Sequence, residues 1–363
     1  MKVTYTDKQL MARCIELAKR GAGYVSPNPM VGSVITKNGK IIGEGWHKKY
    51  GSHHAEINAI SDALKKVKNL KGTTMYVSLE PCAHFSKTPP CVDAIIENKI
   101  SRVVIGVKDP YRLVAGRSIA KLKKNNIDVV VRVLEDECKE LNKFFFKHVK
   151  TGLPYVTIKA AQTLDGKIAD KNYKSKWISS VESRKLVHKF RSEYDAVLVG
   201  RNTVKYDNPR LTVRDYKGRN PYRIVIDVAL KSDLKSHLFT DKDKDKTIVL
   251  TSHKADKKKL KELNKRKITV IFSRAAKGRI DLKYSLNQLY AFGIGSILIE
   301  GGSVTYSEFL NQKLVDEIMV FIALKIMGNG IDTFATEKSI NFANAKEVSY
   351  ELIGDDLLTV IKV

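Results

Sequence analysis

The sequence is poor in cysteine, in tryptophan and in long apolar runs. Four cysteines and two tryptophans occur in 363 residues, which is too little cysteine for a fold held together by disulfides. No stretch approaches the roughly 20 consecutive apolar residues that span a bilayer, and residues 1–10 contain no apolar signal segment. We therefore exclude a disulfide scaffold and a membrane partner, and we expect a cytoplasmic protein.

Acidic residues are also scarce relative to basic ones. The 39 Asp and Glu residues oppose 65 Lys and Arg residues, which gives a formal net charge of +26. Such a charge attracts anions, so nucleic acid and phosphorylated small molecules are both candidate partners. The lysines are spread along the chain, and their densest run, 242–267, has no interleaved aromatic residues. This distribution favours a phosphorylated small molecule over nucleic acid.

The order of the predicted elements indicates an α/β protein with two domains. A chain of 363 residues is typical of about two domains of roughly 100–200 residues each. Helical and extended patterns alternate before and after the basic segment 147–154, which contains Gly and Pro and interrupts the alternation. We therefore place the first domain at 1–148 and the second at 149–363.

Three potential zinc ligands give the clearest chemical signal. His54 opens a predicted helix together with Glu56, Cys82 follows a predicted strand, and Cys91 begins another helix. One imidazole and two thiolates leave a fourth position open, as in catalytic rather than structural zinc sites. Zinc activates water near neutral pH, and Glu56 is placed to carry its proton as acid and base. His53 is an alternative ligand, but it lacks the spacing to Glu56.

The same residues occur in zinc-dependent deaminases of nucleobases, which carry His-x-Glu followed by Pro-Cys and a second cysteine. Two residues separate the cysteines in that pattern, whereas residues 83–90 separate them here. This longer segment contains His84 and Lys87, whose cationic side chains suit a phosphate group. An ordinary surface loop is the alternative. The pattern predicts hydrolytic deamination of a small phosphorylated ring.

A pair of glycines marks a candidate cofactor site in the second domain. Gly301 and Gly302 follow a predicted strand and open a predicted helix, so backbone N–H groups there can approach a pyrophosphate. The segment lacks the Gly-x-Gly-x-x-Gly fingerprint, which disfavours a Rossmann domain. Arg191, Arg201 and Arg214 are candidates for binding phosphate, although a single arginine in so basic a chain is more often a solvated surface residue.

These motifs together resemble those of the bifunctional deaminase/reductases of riboflavin biosynthesis, and the resemblance spans essentially the whole chain. It rests on the segments 26–32, 43–47, 54–56, 80–84, 88–91, 159–167, 175–179, 207–209, 211–214 and 300–302. The resemblance implies an N-terminal cytidine-deaminase-like domain with three α/β/α layers. It also implies a C-terminal α/β domain like dihydrofolate reductase.

The resemblance further implies two consecutive reactions. The first is the zinc-dependent hydrolytic deamination of 2,5-diamino-6-(5-phosphoribosylamino)pyrimidin-4-one. The second is the NADPH-dependent reduction of its ribosyl side chain to ribityl. The implied cofactors are Zn²⁺ and NADPH, and the implied partner is a phosphorylated pyrimidine. A homo-oligomer is compatible with the sequence.

Site residues follow from the same resemblance, beyond the zinc ligands and the catalytic Glu56. The implied substrate contacts are Asn28, His84, Lys87, Ser175, Arg191, Leu211, Arg214 and Glu300. The implied cofactor contacts are Ala161, Trp177, Thr203, Asp207 and Gly302. For the polar residues Lys159 and Asp165, orientation of the sugar and a structural salt bridge or turn cap are both open.

The chain departs from the family pattern at four positions. Ser86 and Ser118 stand where glycine is common, and Tyr111 with Arg112 stands where the family has Asn-Pro. Two other functions compete with the bifunctional enzyme. A nucleic-acid base deaminase predicts a short spacing between the cysteines, and a zinc-dependent structural protein has no use for the glutamate beside the ligands.

Overall fold

The computed structural model describes residues 5–83, 89–111, 115–276, 278–336, 339–343 and 345–363. The chain divides into two compact units, Met1–Gly152 and Leu153–Val363. The predicted boundary at 148/149 falls inside the helix Lys143–Thr151. That helix continues through the basic residues and ends only at Gly152, whose φ of 67° is the left-handed conformation that commonly closes a helix.

Helices and strands alternate through the first unit, as the sequence predicts. In chain order they are α1 (Asp7–Lys19), β1 (Gly32–Lys37), β2 (Lys40–Trp46), α2 (Ala55–Leu64), β3 (Thr74–Leu79), α3 (Cys91–Glu97), β4 (Arg102–Val107), α4 (Arg117–Lys124), β5 (Asp128–Val131), α5 (Glu135–Leu141) and α6 (Lys143–Thr151). Thr6 and Gln9 form a capping box at the start of α1. Asn38 and Gly39 both have positive φ in the turn between β1 and β2.

The strands of the first unit form one sheet in the order β2-β1-β3-β4-β5. Alternate side chains of each strand enter separate cores, because successive residues of a strand point to opposite faces. Val34 and Val104 pack with α1 and α5 on one face, whereas Ile35 and Ile105 pack with α2, α3 and α4 on the other. The unit therefore has three α/β/α layers.

The second unit also alternates between helices and strands. In chain order they are β6 (Tyr155–Thr163), β7 (Lys167–Asp170), α7 (Val181–Glu193), β8 (Ala196–Gly200), α8 (Arg201–Asp207), β9 (Tyr222–Ile226), α9 (His237–Thr240), a 3₁₀ turn (Lys244–Lys246), β10 (Thr247–Thr251), α10 (Lys257–Lys265), β11 (Thr269–Phe272), β12 (Ala275–Ala276), β13 (Arg279–Ile280), α11 (Leu282–Ala291), β14 (Ser296–Gly301), α12 (Ser303–Asn311), β15 (Glu317–Ala323), β16 (Gly330–Asp332), β17 (Glu347–Ile353) and β18 (Asp356–Lys362).

A large mixed sheet organises this unit, in the strand order β11-β10-β9-β8-β14-β6-β15-β18-β17. Its strands are parallel from β11 to β15, and β18 and β17 are added antiparallel. The adjacent parallel strands β8 and β14 lead into α8 and α12 respectively, so both helices begin at the same edge of the sheet. Within the described ranges, no helix combines the length and the apolar character that crossing a membrane requires.

Candidate active sites

The first site lies where the start of α2 meets the turn after β3 and the start of α3. His54 precedes α2 as its N-cap residue, and Cys91 is the first residue of α3. His54 Nδ1 is 3.6 Å from Cys82 Sγ and 3.3 Å from Cys91 Sγ, and all three atoms lie within 4.8 Å of one another. A nitrogen and a sulfur bound tetrahedrally to one zinc ion are about 3.6 Å apart. The three donors therefore fit zinc.

Hydrogen bonds around Cys82 favour its thiolate form. The backbone N–H of Cys91 donates to Cys82 Sγ at 3.2 Å, and the N–H of Val92 donates to the Cys82 carbonyl oxygen at 3.2 Å. The hydrogen bond from the Cys91 thiol is the main cause that lowers the pKa of Cys82 below its usual range. Because the thiolate is the form of cysteine that binds metal, this environment prepares Cys82 as a ligand.

Glu56 is buried in the first turn of α2, next to the three donors. Burial raises the pKa of Glu56 to about 7. A carboxyl group with such a pKa can both accept and release a proton near neutral pH. Among the described residues, the group that could hold a metal consists of His54, Cys82 and Cys91 and does not include Glu56. The alternative ligand His53 is exposed and lies outside this group as well.

Asn28 lies beside a buried histidine to which the sequence analysis gave no role. Asn28 Nδ2 is 3.4 Å from His47 Nε2, and His47 Nδ1 is 3.1 Å from the carbonyl oxygen of His53. Since a carbonyl oxygen only accepts, we assign the proton to Nδ1, which leaves Nε2 to accept from the Asn28 amide. The His47 ring also packs edge to face on His54, with centroids 5.3 Å apart. His47 thereby connects Asn28 to the metal site.

Glu80 is a second residue that the sequence analysis missed. Its buried carboxylate accepts hydrogen bonds from the backbone N–H groups of Asp109 at 3.2 Å and Gly116 at 3.0 Å, and from the Ser118 hydroxyl at 2.7 Å. Glu80 therefore joins the turn that carries the first cysteine to the segment after β4. Ser118, which departs from the family pattern, has a defined structural partner. The only sequence signal was the position of Glu80 beside the Pro-Cys pair.

Some of the predicted residues lie outside the described part of the chain. These are the predicted phosphate contacts His84 and Lys87 and the two departures Ser86 and Arg112. The remaining departure, Tyr111, is exposed, and its backbone N–H donates to the Asp109 carboxylate at 2.8 Å.

The second site lies at the carboxyl end of β14. Glu300 and Arg191 of α7 form a bidentate ion pair, with Nε to Oε1 at 2.6 Å and Nη2 to Oε2 at 2.7 Å. The two side chains are only 7% and 13% exposed, respectively. Arg191 Nη1 also donates to the carbonyl oxygen of Thr212 at 3.1 Å. The structure thus brings two of the predicted substrate contacts together, although they are far apart in sequence.

The segment after α8 carries two further predicted substrate contacts, Leu211 and Arg214. The backbone N–H of Arg214 donates to His188 Nδ1 at 3.3 Å, and its guanidinium donates to Thr212 Oγ1 at 3.2 Å. Burial and the nearby Arg191 guanidinium lower the pKa of Arg214. Leu211 is buried with a φ of 54°, a conformation rare for a bulky side chain. Such backbone strain is concentrated at functional sites.

Lys159 belongs to the same charged cluster. It lies on β6, where burial lowers its pKa, the Glu300 carboxylate raises it, and the Arg191 guanidinium lowers it. The hydroxyl of the buried Tyr306 donates to the carbonyl oxygen of Lys159 at 2.8 Å. Lys159 therefore adds a third cationic side chain, beside Arg191 and Arg214, near the Glu300 carboxylate, and the carboxylates of Asp215 and Asp356 also act on this cluster.

Asp165 has a structural role that accounts for its position. Its carboxylate accepts hydrogen bonds from the Thr163 hydroxyl at 2.6 Å and from the backbone N–H groups of Met327 at 3.1 Å and Gly328 at 2.7 Å. These hydrogen bonds, that of Thr163 first, lower the pKa of Asp165 to about 2. Of the two readings left open by the sequence, these contacts favour the turn cap.

The start of α12 offers donors for a cofactor phosphate. Gly302 precedes the helix without a side-chain cap, and a Cβ on Gly301 would come within 2.9 Å of Thr203 Oγ1, so glycine allows α8 and β14 to approach closely. The hydroxyl of Ser303 is buried and has no hydrogen-bond partner among the described residues. Unpaired helix N–H groups and a buried unsatisfied hydroxyl suit a phosphate group. The residues present therefore fit NADPH.

The other predicted cofactor contacts lie on different elements. Asp207, at the end of α8, accepts a hydrogen bond from the predicted substrate contact Ser175 at 2.8 Å. Trp177 is 67% exposed in the segment before α7, and the Arg184 guanidinium lies 4.4 Å from its ring centroid. Ala161 lies on β6, paired with β15. The structure therefore joins Ser175 to Asp207 and places Trp177 and Ala161 on separate elements.

Comparison with known proteins gives matches to both halves of the chain. Residues 4–107 match the cytidine and deoxycytidylate deaminase zinc-binding region, and residues 154–359 match the RibD C-terminal domain. Riboflavin biosynthesis protein RibD of Aquifex aeolicus is 42% identical over 362 residues, which cover 98% of each chain. RibD of Actinobacillus pleuropneumoniae is 39% identical, over 98% of this chain and 95% of its own. The chain belongs to the RibD family.

Solved structures of RibD proteins agree with this assignment. The diaminohydroxyphosphoribosylaminopyrimidine deaminase/5-amino-6-(5-phosphoribosylamino)uracil reductase of Thermotoga maritima is 40% identical, with 98% of both chains covered and a TM-score of 0.87. Acinetobacter baumannii RibD is 31% identical with the same coverage and TM-score. The predicted family, the α/β fold class and the deaminase and reductase activities are confirmed. The predicted cofactors are confirmed as well, because the deaminase domain of this family binds zinc and its reductase domain uses NADPH.

Proposed function

We propose that the chain acts twice on one pyrimidine. Residues 1–148 deaminate 2,5-diamino-6-(5-phosphoribosylamino)pyrimidin-4-one, and residues 149–363 then reduce its ribosyl side chain to ribityl with NADPH. The observation that carries this proposal is the convergence of the His54, Cys82 and Cys91 donor atoms within 4.8 Å, with Glu56 buried beside them. The Thermotoga maritima relative is named for both activities.

In the proposed deamination, His54, Cys82 and Cys91 hold zinc, which when bound activates a water molecule as the nucleophile. Glu56 would accept one proton from that water and deliver it to the ring nitrogen. It would then carry the second proton, from the hydroxyl group added to the ring carbon, to the departing amine, which leaves as ammonia. The pKa of about 7 that burial gives Glu56 suits both directions of transfer.

Three residues are assigned to hold the deaminase substrate. The amide of Asn28, oriented by its contact with His47, binds the pyrimidine. A phosphate requires cationic or N–H donors, which the segment between the two zinc cysteines supplies. The residues assigned to this phosphate are His84 and Lys87.

In the proposed reduction, bound NADPH would supply a hydride, and the chain would hold its nicotinamide against the ribosyl carbon that accepts the hydride. The residues assigned to the cofactor are Ala161, Trp177, Thr203, Asp207 and Gly302. The residues assigned to the substrate are Ser175, Arg191, Leu211, Arg214 and Glu300. Support comes from the three cationic side chains near Glu300, which suit a substrate that carries a phosphate, and from the donors at the start of α12.

The proposal includes a cytoplasmic location and no nucleic-acid partner. All four cysteines are free thiols, which is usual in a reducing compartment. Eight residues separate Cys82 from Cys91, whereas base deaminases that act on nucleic acid have a shorter spacing between their two cysteines. A homo-oligomer stays a prediction of the sequence.

Replacement of Glu56 by glutamine tests the division of labour. We expect ammonia release from the diaminopyrimidinone substrate to fall about 10²–10⁴-fold, because general acid–base catalysis contributes a factor of that size. Zinc content and NADPH oxidation with the deaminated intermediate should remain at wild-type levels. Glu97→Gln, an exposed residue at the end of α3, is the matched control. Loss of both activities with zinc and fold intact, or ammonia release from RNA alone, would contradict the proposal.

A further inference from the structure

The segment before α7 is joined to α8 by an aromatic stack. The rings of Tyr173 and Tyr206 lie parallel, with an interplanar angle of 2° and centroids 4.0 Å apart. The two residues remain 40% and 42% exposed, so the stack is a surface contact and not part of a core. Tyr173 is two residues before Ser175, and Tyr206 directly precedes Asp207. The stack therefore flanks a pair of residues assigned to substrate and cofactor.

A hydrogen bond joins the same two elements beside the stack. Ser175 Oγ donates to Asp207 Oδ1 at 2.8 Å. The Lys205 ammonium lies 4.8 Å from the Tyr206 ring centroid, which adds a cation–π contact on the α8 side. The stack and the hydrogen bond together restrict rotation of the segment relative to α8. The hydrogen bond alone would allow the segment to pivot about one point.

The backbone conformation of Tyr173 does not favour tyrosine, so the contact made by its ring is the feature that accounts for this residue. Tyr173 has a φ of 63°, in the left-handed region that glycine and asparagine adopt most readily. It lies in a turn in which Asp170 Oδ1 accepts the N–H groups of Asn172 at 2.8 Å and Lys174 at 2.9 Å. An aromatic residue in this conformation is uncommon, and the stack on Tyr206 supplies a compensating contact.

The other end of the segment is held independently. Lys325 Nζ donates to the carbonyl oxygens of Trp177 at 3.2 Å and Ile178 at 2.9 Å. Loss of the stack would therefore free the residues around Ser175 without releasing the whole segment from the sheet. This arrangement confines the effect of the two tyrosines to the part of the segment that faces α8.

We propose that Tyr173 and Tyr206 are positioning residues of the reductase site. Their stack holds the segment that carries Ser175 against the helix that carries Asp207, so that one substrate contact and one cofactor contact keep a fixed geometry before either ligand binds. This proposal rests on the proposed reductase function. A preorganised site avoids the cost of ordering the segment on binding, and an aromatic pair contributes enough to change affinity about 2- to 12-fold.

The test uses the full-length protein with Tyr173→Ala, Tyr206→Ala and the double variant. Each single variant should raise the KM and the Kd for NADPH about 2- to 12-fold, with a smaller change in kcat. The double variant should lose no more affinity for NADPH than either single variant, because either substitution alone removes the stack. Nicotinamide fluorescence measures the Kd directly. Tyr206→Phe should retain wild-type values because it keeps the ring. Tyr173→Gly should resemble the alanine variant, although glycine suits the left-handed backbone.

Two readouts separate this role from general stability. Hydrogen exchange at the amides of residues 171–176 should accelerate about 2- to 12-fold in the variants, and ammonia release by the same molecules should remain unchanged. The positioning role would be overturned if hydrogen exchange and NADPH affinity stay unchanged in the variants, or if the two single losses of affinity multiply in the double variant. In either case, NADPH oxidation by the wild-type protein would still support the proposed function. A wild-type protein that does not oxidise NADPH with the deaminated intermediate would overturn both.

Discussion

Replacement of Glu300 by glutamine removes one charge from a buried ion pair and keeps the shape of the side chain. Both carboxylate oxygens accept hydrogen bonds from Arg191, at 2.6 and 2.7 Å. A hydrogen bond to a charged group contributes about 1.5–3 kcal/mol, and a buried charge left without its partner costs about 3–5 kcal/mol. Glutamine retains one acceptor, so we expect the free energy of unfolding of the second unit to fall by about 3 kcal/mol, where these ranges meet.

The decrease in the free energy of unfolding caused by Glu300→Gln should depend on pH, because the substitution also changes the pKa of Lys159. Burial already holds the pKa of Lys159 below its usual 10.5, and the Glu300 carboxylate opposes that shift. Without the carboxylate the pKa falls further. The unfolded chain then binds more protons than the folded chain between the lowered pKa and 10.5, so stability rises with pH across that interval. The deficit of Glu300→Gln relative to wild type should therefore be larger at pH 7 than above pH 10.5.

Hydrogen exchange followed by mass spectrometry measures this effect within one molecule. A loss of about 3 kcal/mol accelerates exchange about 150-fold at amides of β14 and α7 that open with the whole unit. Amides of β3 and β4 in the first unit serve as the internal reference. Glu347→Gln is the matched control because Glu347, 57% exposed, forms an ion pair with Lys362 at 2.6 Å. An exposed pair contributes at most about 1 kcal/mol, which corresponds to about fivefold.

Two results would refute this reasoning. If exchange in Glu300→Gln stays within about fivefold of wild type, the pair does not stabilise the unit by the amount that its burial implies. If Glu347→Gln accelerates exchange equally, the position of the pair in the interior is not the cause of the loss.

Two further predictions concern metal binding and acid sensitivity. Cys91→Ala should lose zinc by elemental analysis, whereas Cys138→Ala, a buried cysteine outside the ligand group, should keep it; full retention in Cys91→Ala would remove that residue from the site. Asp165→Asn should destabilise the contacts of Asp165 with residues 327 and 328 at neutral pH. The carboxylate has a folded pKa of about 2, below its usual 3.8, so its contribution is present above pH 3.8 and lost as the pH falls through 2. Hydrogen exchange of residues 324–330 from pH 5 to pH 2 measures this, and a constant difference between variant and wild type would contradict it.

Local sequence pattern predicted most of the central strands. The apolar runs at 102–107, 196–200 and 247–251 predict strands, and β4, β8 and β10 span these same residues, because buried parallel strands are near-continuous runs of apolar residues. The exposed edge strand β17 has no such apolar run, and the alternation of Val348, Tyr350 and Leu352 is the sequence signal that indicates it. The basic residues and the Gly and Pro of segment 147–154 predict a connection, but the helix α6 extends into this segment and ends only at Thr151.

The group that could hold zinc was predictable because few side chains bind zinc, and His54, Cys82 and Cys91 occur at the starts and ends of predicted elements. The sequence by itself therefore determined the two α/β domains and the metal chemistry of the first. Only the tertiary structure decided which polar groups meet. Arg191 and Glu300 are 109 residues apart, and Ser175 lies 32 residues from Asp207. Local periodicity indicates which face of an element is buried, but partners at such separations are set by the path of the chain through the sheet.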